Sequence, residues 1–304
     1  MWSGSSKLGG REPRGWRELG REQWIKIATA MYDRFGEVQI TDRAAALTYY
    51  SILSLFPGLL VAVAVLALLG EYPGTYESIV DTLRDAAPGT AVDTVNSALR
   101  DALSDRGNAG ALLGIGLAIS LYSASGAMGA AMRSLESINR VRSGRGFLPN
   151  LGVRIGLTAL LMLLVLIAFL AVVVAGPLFG SIADAAGLEG FLKDVVGYAR
   201  WPIGAAALLT AFSLVYSLGP RRGPRRGTRA LRTVLPGAAV AVALWFVASL
   251  AFTLYVSHFG SYDKTYGTLG AMISLLIWLW LGNLAFLLGA LFNAESEQVR
   301  GGVR

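Results

Sequence analysis

Six stretches without a charged side chain divide this sequence and limit the folds that it can adopt. They cover residues 44–70, 107–132, 155–183, 201–220, 233–262 and 265–294. Each one reaches the roughly 20 residues that a helix needs to cross about 30 Å of hydrocarbon. None shows the alternation of polar and apolar residues that is typical of a membrane barrel. The sequence therefore predicts an all-α, polytopic membrane protein, a bundle of six transmembrane helices.

The composition agrees with lipid as the main solvent of the chain. Hydrophobic residues make up 54% and charged residues only 15% of the 304 residues, whereas soluble domains have about 25% charged residues. The first 43 residues hold eight basic and six acidic side chains and no apolar core, so we expect no cleavable signal peptide there. Cysteine is absent from the sequence, which excludes disulfides, thiolate chemistry and cysteine metal sites.

The charges between the apolar runs predict an orientation in the membrane. Segment 132–154 has five arginines against Glu136, and segment 220–233 has six arginines and no acid. Segments 71–106 and 181–200 are instead richer in acidic than in basic residues. Because positively charged loops stay in the cytoplasm, we expect both termini inside and these two acidic loops outside.

The predicted organisation is a single membrane domain over 21–298, between a disordered cytoplasmic tail at 1–20 and a short cytoplasmic tail at 299–304. The predicted spans are about 44–70, 107–132, 155–180, 201–219, 234–258 and 267–292.

Amphipathic segments flank the predicted spans. Trp24, Ala28, Met31 and Phe35 share one helical face and Arg34 lies elsewhere, which predicts a helix on the cytoplasmic leaflet or, alternatively, one packed on the bundle. The first external loop is predicted to form two short amphipathic helices at 75–87 and 90–104, and a further short helix is predicted at 188–198. These external helices either close a cavity or shield loop backbone.

The first span begins LTYYSILSLFPGLL and carries unusual polarity for a membrane helix. Ser51 and Ser54 fall on one helical face with Thr48 beside them, so this face is expected to look into the bundle. Pro57 has no N–H to bond the carbonyl of Leu53, which predicts a kink. Of the adjacent pair at 49 and 50, one tyrosine is expected at the interface and the other inward.

The sixth predicted span contains two amides, Asn283 near its middle and Asn293 near its inner end. An unpaired amide in hydrocarbon costs free energy, so Asn283 either bonds another helix or faces a wet cavity. The second span has a Gly110 and Gly114 motif and a run of small residues at 123–132 that favours close helix packing. The candidate cavity residues are Thr48, Tyr50, Ser51, Ser54, Pro57, Asn283 and Asn293.

The sequence offers little that resembles a catalytic or metal site. It has one histidine, His258, no carboxylate inside the six apolar runs, and no phosphate-binding glycine loop, GxSxG or HExxH motif. We therefore expect no enzymatic activity, no metal and no cofactor. The arginine cluster is interpreted as a topology signal, with Arg221, Arg222, Arg225 and Arg226 as candidate contacts for anionic lipid. Nucleic acid is not expected as a partner, because no aromatic residues are interleaved for base stacking.

Two long blocks carry a resemblance to a known family. The stretches DRAAALTYYSILSLFPGLL at 42–60 and YGTLGAMISLLIWLWLGNLAFLLGALFNAESE at 266–297 resemble the YihY/BrkB family of bacterial inner-membrane proteins, once labelled ribonuclease BN. The resemblance covers roughly residues 20–298 and implies six spans in the cytoplasmic membrane. Where the family often reads Gly-Ala-Glu, an apolar residue and Asn, this chain has Leu291 in the place of the carboxylate. The resemblance implies no settled activity, since the roles proposed for the family range over transport, envelope integrity and resistance to serum killing.

The leading hypothesis for function is a transporter or lipid-handling protein that binds a small amphiphile or membrane lipid in a central cavity. The alternative is a non-transporting scaffold that organises envelope proteins. The residues disfavour a ribonuclease, because phosphodiester hydrolysis requires metal-binding acids or a histidine pair in an aqueous site.

Overall fold

The chain forms helices throughout the part that the structure describes. The structure is a computed structural model, and it describes residues 19–68, 109–141, 146–164, 189–220, 231–258 and 268–300. These residues form seven helices and no strand: α1 Arg21–Glu37, α2 Ile40–Leu68, α3 Ala109–Ile138, α4 Phe147–Leu164, α5 Glu189–Leu218, α6 Leu231–His258 and α7 Thr268–Arg300. The all-α class predicted from the sequence is confirmed.

The apolar composition of the helices makes several of them able to cross a membrane. Among the described residues, three helical segments are both long and apolar enough: Phe147–Leu164 in α4, Leu231–Tyr255 in α6 and Met272–Arg300 in α7. A shorter apolar segment, Pro202–Leu218, lies in α5. Each predicted span overlaps a described helix, although residues 165–180 of the third span fall outside the described residues.

Helix α7 lies at the centre of the bundle and contacts α6, α2, α1 and α3. Helix α2 also packs along α3, and α5 packs along α6. The most deeply buried side chains come from the beginning of α2, the end of α3, the beginning of α6 and the second half of α7. They include Ile40, Leu135, Ile138, Val234, Leu287 and Leu291.

Two glycines let α6 and α7 cross at very short range. A Cβ atom added at Gly289 would lie 2.6 Å from the Cβ of Ala241 and 2.9 Å from the hydroxyl of Tyr216. A Cβ added at Gly237 would collide with the side chain of Asn293 and the backbone of α7. Glycine is therefore required at both positions, because only a residue without a side chain lets the two backbones approach this closely.

Helix α1 packs against the bundle, which is one of the two arrangements that the sequence left open. Ile27 is buried, Met31 and Phe35 pack on the core, and Trp24 stacks on Phe292 of α7. The sequence had placed Arg34 away from the packed face, and this was wrong. Arg34 is 5% exposed. Its Nε lies within ion-pair distance of Glu295 on α7, and its Nη2 donates to the carbonyl of Ile138 on α3.

The external segments are only partly described. The short helices predicted at 75–87 and 90–104 lie outside the described residues. The helix predicted at 188–198 is not a separate element, because α5 runs without interruption from Glu189 to Leu218 and contains Pro202. A proline removes one backbone N–H from a helix, and apolar membrane helices tolerate this loss. The prediction of a separate helix was wrong.

Candidate functional site: a cavity inside the bundle

A cavity of about 370 Å³, open on one side, lies between the helices of the bundle. Its wall takes residues from α2, α3, α4, α5, α6 and α7, so its shape depends on the whole assembly rather than on one element. The lining residues are Leu47, Ser51, Ala127, Met128, Ala131, Leu161, Leu208, Ala211, Phe212, Val215, Trp245, Trp278, Leu279, Gly282, Asn283 and Phe286.

The cavity wall is apolar and aromatic with two uncharged polar side chains. Trp245 and Trp278 meet edge to face, with ring centroids 5.9 Å apart. The indole N–H of Trp278 donates to the hydroxyl of Ser249 at 3.3 Å, which holds this ring in place. The polar lining residues are Ser51 and Asn283. A mainly apolar pocket with a few polar groups is the usual form of a small-molecule site.

Asn283 joins the cavity wall to α2. Its Nδ2 donates to the hydroxyl of Thr48 at 3.1 Å, and that hydroxyl donates to the carbonyl of Ala44 at 2.8 Å. Because Thr48 uses its own proton on Ala44, it can only accept from Asn283, which fixes the amide orientation. No other hydrogen bond of the Asn283 side chain occurs within the described residues. In the part of the chain that the structure describes, the amide oxygen and one N–H thus have no partner and could bind a molecule in the cavity.

The candidate residues of α2 occupy different environments. Thr48 is buried against α7 and Ser51 lines the cavity. Ser54 donates to the carbonyl of Ser51 at 2.9 Å, so its hydroxyl is satisfied on its own helix. Tyr50 is half-buried and packs on the core, while Tyr49 is 61% exposed. Pro57 lies among residues 55–68 of α2, whose side chains are outside the described set, and the predicted kink is not tested.

Asn293 lies outside the cavity and binds helix α6. Its Oδ1 accepts from the backbone N–H of Gly237 at 2.9 Å, and its Nδ2 donates to the carbonyl of Val234 at 2.8 Å. These two backbone groups flank Pro236, which lies inside α6. The side chain is 3% exposed. The geometry therefore gives this amide a structural role at the crossing of α6 and α7.

A buried ion pair joins α1 and α7, and it was not predicted from the sequence. Nε of Arg34 lies 3.3 Å from Oε1 of Glu295, and both side chains are nearly inaccessible to solvent. Nη2 of Arg34 donates to the carbonyl of Ile138 at 2.9 Å, and Nη1 donates to the exposed Glu37. The sequence feature that could have predicted this ion pair is the position of Glu295. It lies just beyond an apolar run and one helical turn after the buried Leu291.

Arg154 was predicted to lie in a loop, whereas the structure places it inside α4. Helix α4 begins at Phe147, eight residues before the predicted start of the third span. The signal that would have found this start is Pro149 in the first turn, a position where proline is well tolerated. Arg154 donates to the hydroxyl of Ser125 on α3.

Several other predicted features are not brought to this site. Residues 221–230, with Arg221, Arg222, Arg225 and Arg226, lie outside the described residues. His258 ends α6, and its side chain is also outside the described set. Within the residues that the structure describes, no group of three histidine, aspartate or glutamate side chains is arranged to hold a metal ion.

Comparison with known proteins decides the family. The sequence model of the family described as Virulence factor BrkB matches residues 31–304. The chain belongs to the BrkB family. Of the two blocks that carry the resemblance, 42–60 lies on α2, and 266–297 lies on α7 apart from its first two residues. These two helices are joined by the hydrogen bond between Thr48 and Asn283 beside the cavity.

Curated relatives cover most of this BrkB-family chain. YfkH of Bacillus subtilis, which carries the name ribonuclease-like protein, is 31% identical over 87% of this chain and 92% of its own length. A UPF0761 membrane protein of Alkalilimnicola ehrlichii is 29% identical over 91% of this chain but 60% of its own length. A UPF0761 membrane protein of Pseudoalteromonas translucida is 29% identical over 84% of this chain and 81% of its own. No solved structure matches the chain.

Proposed function

We propose that this BrkB-family protein binds a small amphiphile or lipid in the cavity of its helix bundle and moves it within or across the bacterial cytoplasmic membrane. The protein is proposed to be a multi-pass protein with six spans and with both termini in the cytoplasm. The excess of arginine in 132–154 and 220–233 supports this orientation.

The observation that carries the proposal is the cavity itself. Its volume of about 370 Å³ lies within the range of about 300–1,000 Å³ that is typical of small-molecule sites. Its wall is apolar, so a hydrocarbon chain would lose no hydrogen bonds on entering. Ser51 and the unused groups of Asn283 add the few polar contacts that orient a ligand.

A non-transporting scaffold remains the alternative function, and no contact within the described residues favours it over the cavity. We also propose that the chain is not a nuclease, although one relative carries a ribonuclease-like name. Incubation of the purified protein with RNA and a divalent metal tests this expectation. RNA cleavage that copurifies with the intact protein would refute it.

The proposed function is tested by filling the cavity. Ala211 lines the cavity on α5, and Ala206 is exposed on the same helix. Ala211→Phe should occupy the cavity and reduce both copurifying lipid, measured by native mass spectrometry, and transbilayer movement of a fluorescent phospholipid in proteoliposomes. The matched control Ala206→Phe adds the same side chain outside the cavity and should leave both readouts unchanged.

The outcomes of this test separate the candidate functions. Lipid bound by the wild-type protein and lost in Ala211→Phe supports the proposal. Transbilayer movement at the empty-vesicle rate, together with no retained lipid or small amphiphile, refutes it. A stoichiometric protein partner that survives in detergent, in the absence of any retained lipid, supports the scaffold.

A further inference from the structure

Arg154 is a partly buried cation inside an apolar helix, held against the neighbouring helix α3. Its Nη2 donates to the hydroxyl oxygen of Ser125 at 2.8 Å, and its Nε donates to the same oxygen at 3.2 Å. Ser125 is fully buried and uses its own proton on the carbonyl of Tyr122, at 2.6 Å. The serine hydroxyl can therefore only accept from Arg154, which orients the guanidinium.

Gly129 makes room for this arginine on the surface of α3. A Cβ at position 129 would lie 2.7 Å from Cδ of Arg154, 3.1 Å from Nη1 and 3.3 Å from Nε. Any larger residue at this position would push the arginine away from Ser125. The side chain is thus held at two points, by a close approach to Gly129 and by hydrogen bonds to Ser125.

The charge of Arg154 has no counter-ion among the described residues. Among the described residues, Arg154 forms no ion pair with a carboxylate, and its guanidinium donates hydrogen bonds to Ser125. Two of the five N–H groups of an arginine bond the serine, which leaves three N–H groups for another acceptor. A cation in low-dielectric surroundings is costly unless an anion or several acceptors satisfy it.

The arginine lies on the face of α4 that leads to the cavity. Arg154, Thr158 and Leu161 follow the i, i+4, i+7 spacing of one helical face, and Leu161 lines the cavity. Seven residues of helix place Arg154 about 10 Å along the axis from that wall. On α3, Met128 lines the same cavity one residue before Gly129. A cationic group and an apolar cavity therefore lie within the length of a single lipid molecule.

We propose that Arg154, positioned by Ser125 and Gly129, binds the phosphate headgroup of an anionic lipid whose apolar part enters the cavity. This inference rests on the proposed function and names its ligand class. A guanidinium presents a planar fork of donors that matches the oxygens of a phosphate, and such charge-assisted bonds are strong. A membrane supplies lipid phosphates at high local concentration.

The inference is tested on the full chain with two probes, phosphatidylglycerol and diacylglycerol, which has no phosphate, by native mass spectrometry in detergent. Arg154→Gln removes the charge and should weaken phosphatidylglycerol binding at least tenfold, while diacylglycerol retention changes less than twofold. Arg133→Gln is the matched control, because Arg133 is an exposed arginine on α3, and it should leave both unchanged.

Gly129→Ala gives a second test that keeps every charge. The added methyl group displaces the arginine, so phosphatidylglycerol binding should fall at least threefold. The elution volume and melting temperature of each variant establish that it is folded. If Arg154→Gln does not fold, Gly129→Ala and Arg154→Lys carry the test, and lysine should bind phosphatidylglycerol less tightly than arginine.

Failure of this inference is distinguishable from failure of the proposed function. If lipid is retained and is lost in Ala211→Phe, but Arg154→Gln and Gly129→Ala bind phosphatidylglycerol as wild type does, the headgroup site is refuted while the cavity function stands. Inorganic phosphate that displaces phosphatidylglycerol at equal affinity would assign the site to a free anion and overturn the lipid assignment.

Discussion

At the scale of single residues, two serines on one helical face have different roles. The sequence groups Ser51 and Ser54 in one polar stripe because they are three residues apart. In the structure the hydroxyl of Ser54 donates to the carbonyl of Ser51, whereas Ser51 is the member that lines the cavity. The periodicity of a helix identifies a shared face, but hydrogen bonds decide which hydroxyl is available to a ligand.

The two serines can be separated by substitution. Ser51→Ala should reduce retention of the cavity ligand by about threefold to tenfold, the effect of losing one hydrogen bond. Ser54→Ala should leave it unchanged, because its hydroxyl is used within α2. Native mass spectrometry of copurifying lipid measures both variants. Equal losses in the two variants, or a loss confined to Ser54→Ala, would contradict this assignment.

The two amides of α7 also differ in role. Asn283 lines the cavity, whereas Asn293 bonds both the N–H of Gly237 and the carbonyl of Val234 on α6. From the sequence, interhelical bonding and a ligand role were both open for Asn283, whereas Asn293 was placed among the candidate cavity residues. The distinction depends on Pro236 and Gly237 of α6, which lie more than fifty residues away in the chain.

Removal of the Asn293 side chain should destabilise the bundle. Asn293→Ala removes two buried hydrogen bonds between α7 and the backbone of α6, at a cost of about 0.5–1.5 kcal/mol for each bond. The melting temperature in detergent should fall clearly. Ser296→Ala, one turn further along α7, removes a buried hydroxyl that bonds only its own helix, to the carbonyl of Asn293. A fall in melting temperature no larger than that of Ser296→Ala would contradict this role.

At the scale of helices, α1 is attached to the bundle by apolar contacts and one buried ion pair. Ile27 and the Trp24–Phe292 stack provide the apolar part, and Arg34 with Glu295 provides the charged part. The carbonyl of Ile138 accepts a further bond from Arg34, so α1, α3 and α7 meet at this guanidinium. A buried arginine with several partners therefore fixes the position of an N-terminal helix that hydropathy alone would leave on the lipid surface.

Breaking this ion pair on one side should be more damaging than removing both partners. Arg34→Met alone leaves the buried Glu295 without its partner, whereas Glu295→Leu alone leaves Arg34 with the exposed Glu37 as its anion among the described residues. Each should be destabilising, by up to about 3–5 kcal/mol. The double variant leaves no buried charge and should be more stable than either single variant. Melting temperatures of the four proteins form a double-mutant cycle. Additive effects would show that the two side chains do not interact.

The control for the cycle is Glu37, which also contacts Arg34 but is largely exposed. Exposed ion pairs contribute about 0–1 kcal/mol, because water screens them. Glu37→Gln should therefore change the melting temperature only slightly. A loss as large as that of Glu295→Leu would place the important partner of Arg34 at Glu37 instead.

At the scale of the whole molecule, the distribution of charge and the packing of one half of the bundle predict an orientation in the membrane. The arginine-rich segments 132–154 and 220–233 adjoin the ends of the helices that form the densely packed core. Among the described residues, the exposed apolar side chains of α6 and α7, such as Leu250 and Met272, lie in the opposite half. We expect this half to face the outer leaflet.

The absence of cysteine makes the orientation directly testable. Single cysteines introduced as Thr228→Cys, Ser78→Cys and Ser181→Cys report on three segments without background labelling. In intact cells, a membrane-impermeant maleimide should label positions 78 and 181 and should label position 228 only after lysis. Labelling of position 228 in intact cells would invert or refute the six-span topology.

The sequence alone determined the helical class, the approximate place of each apolar helix and the family of this protein. These follow from local properties: an uninterrupted apolar run must satisfy its backbone as a helix, and two long blocks carry the family resemblance. It also identified Thr48, Ser51 and Asn283, because polar groups in apolar runs require a partner or a cavity.

The tertiary structure decided which partner each polar group contacts. Four features join residues that are distant in the chain: the Arg34–Glu295 pair, the Gly237–Gly289 crossing, the Arg154–Ser125 contact and the cavity. Only the packing of the helices sets the distances between these residues.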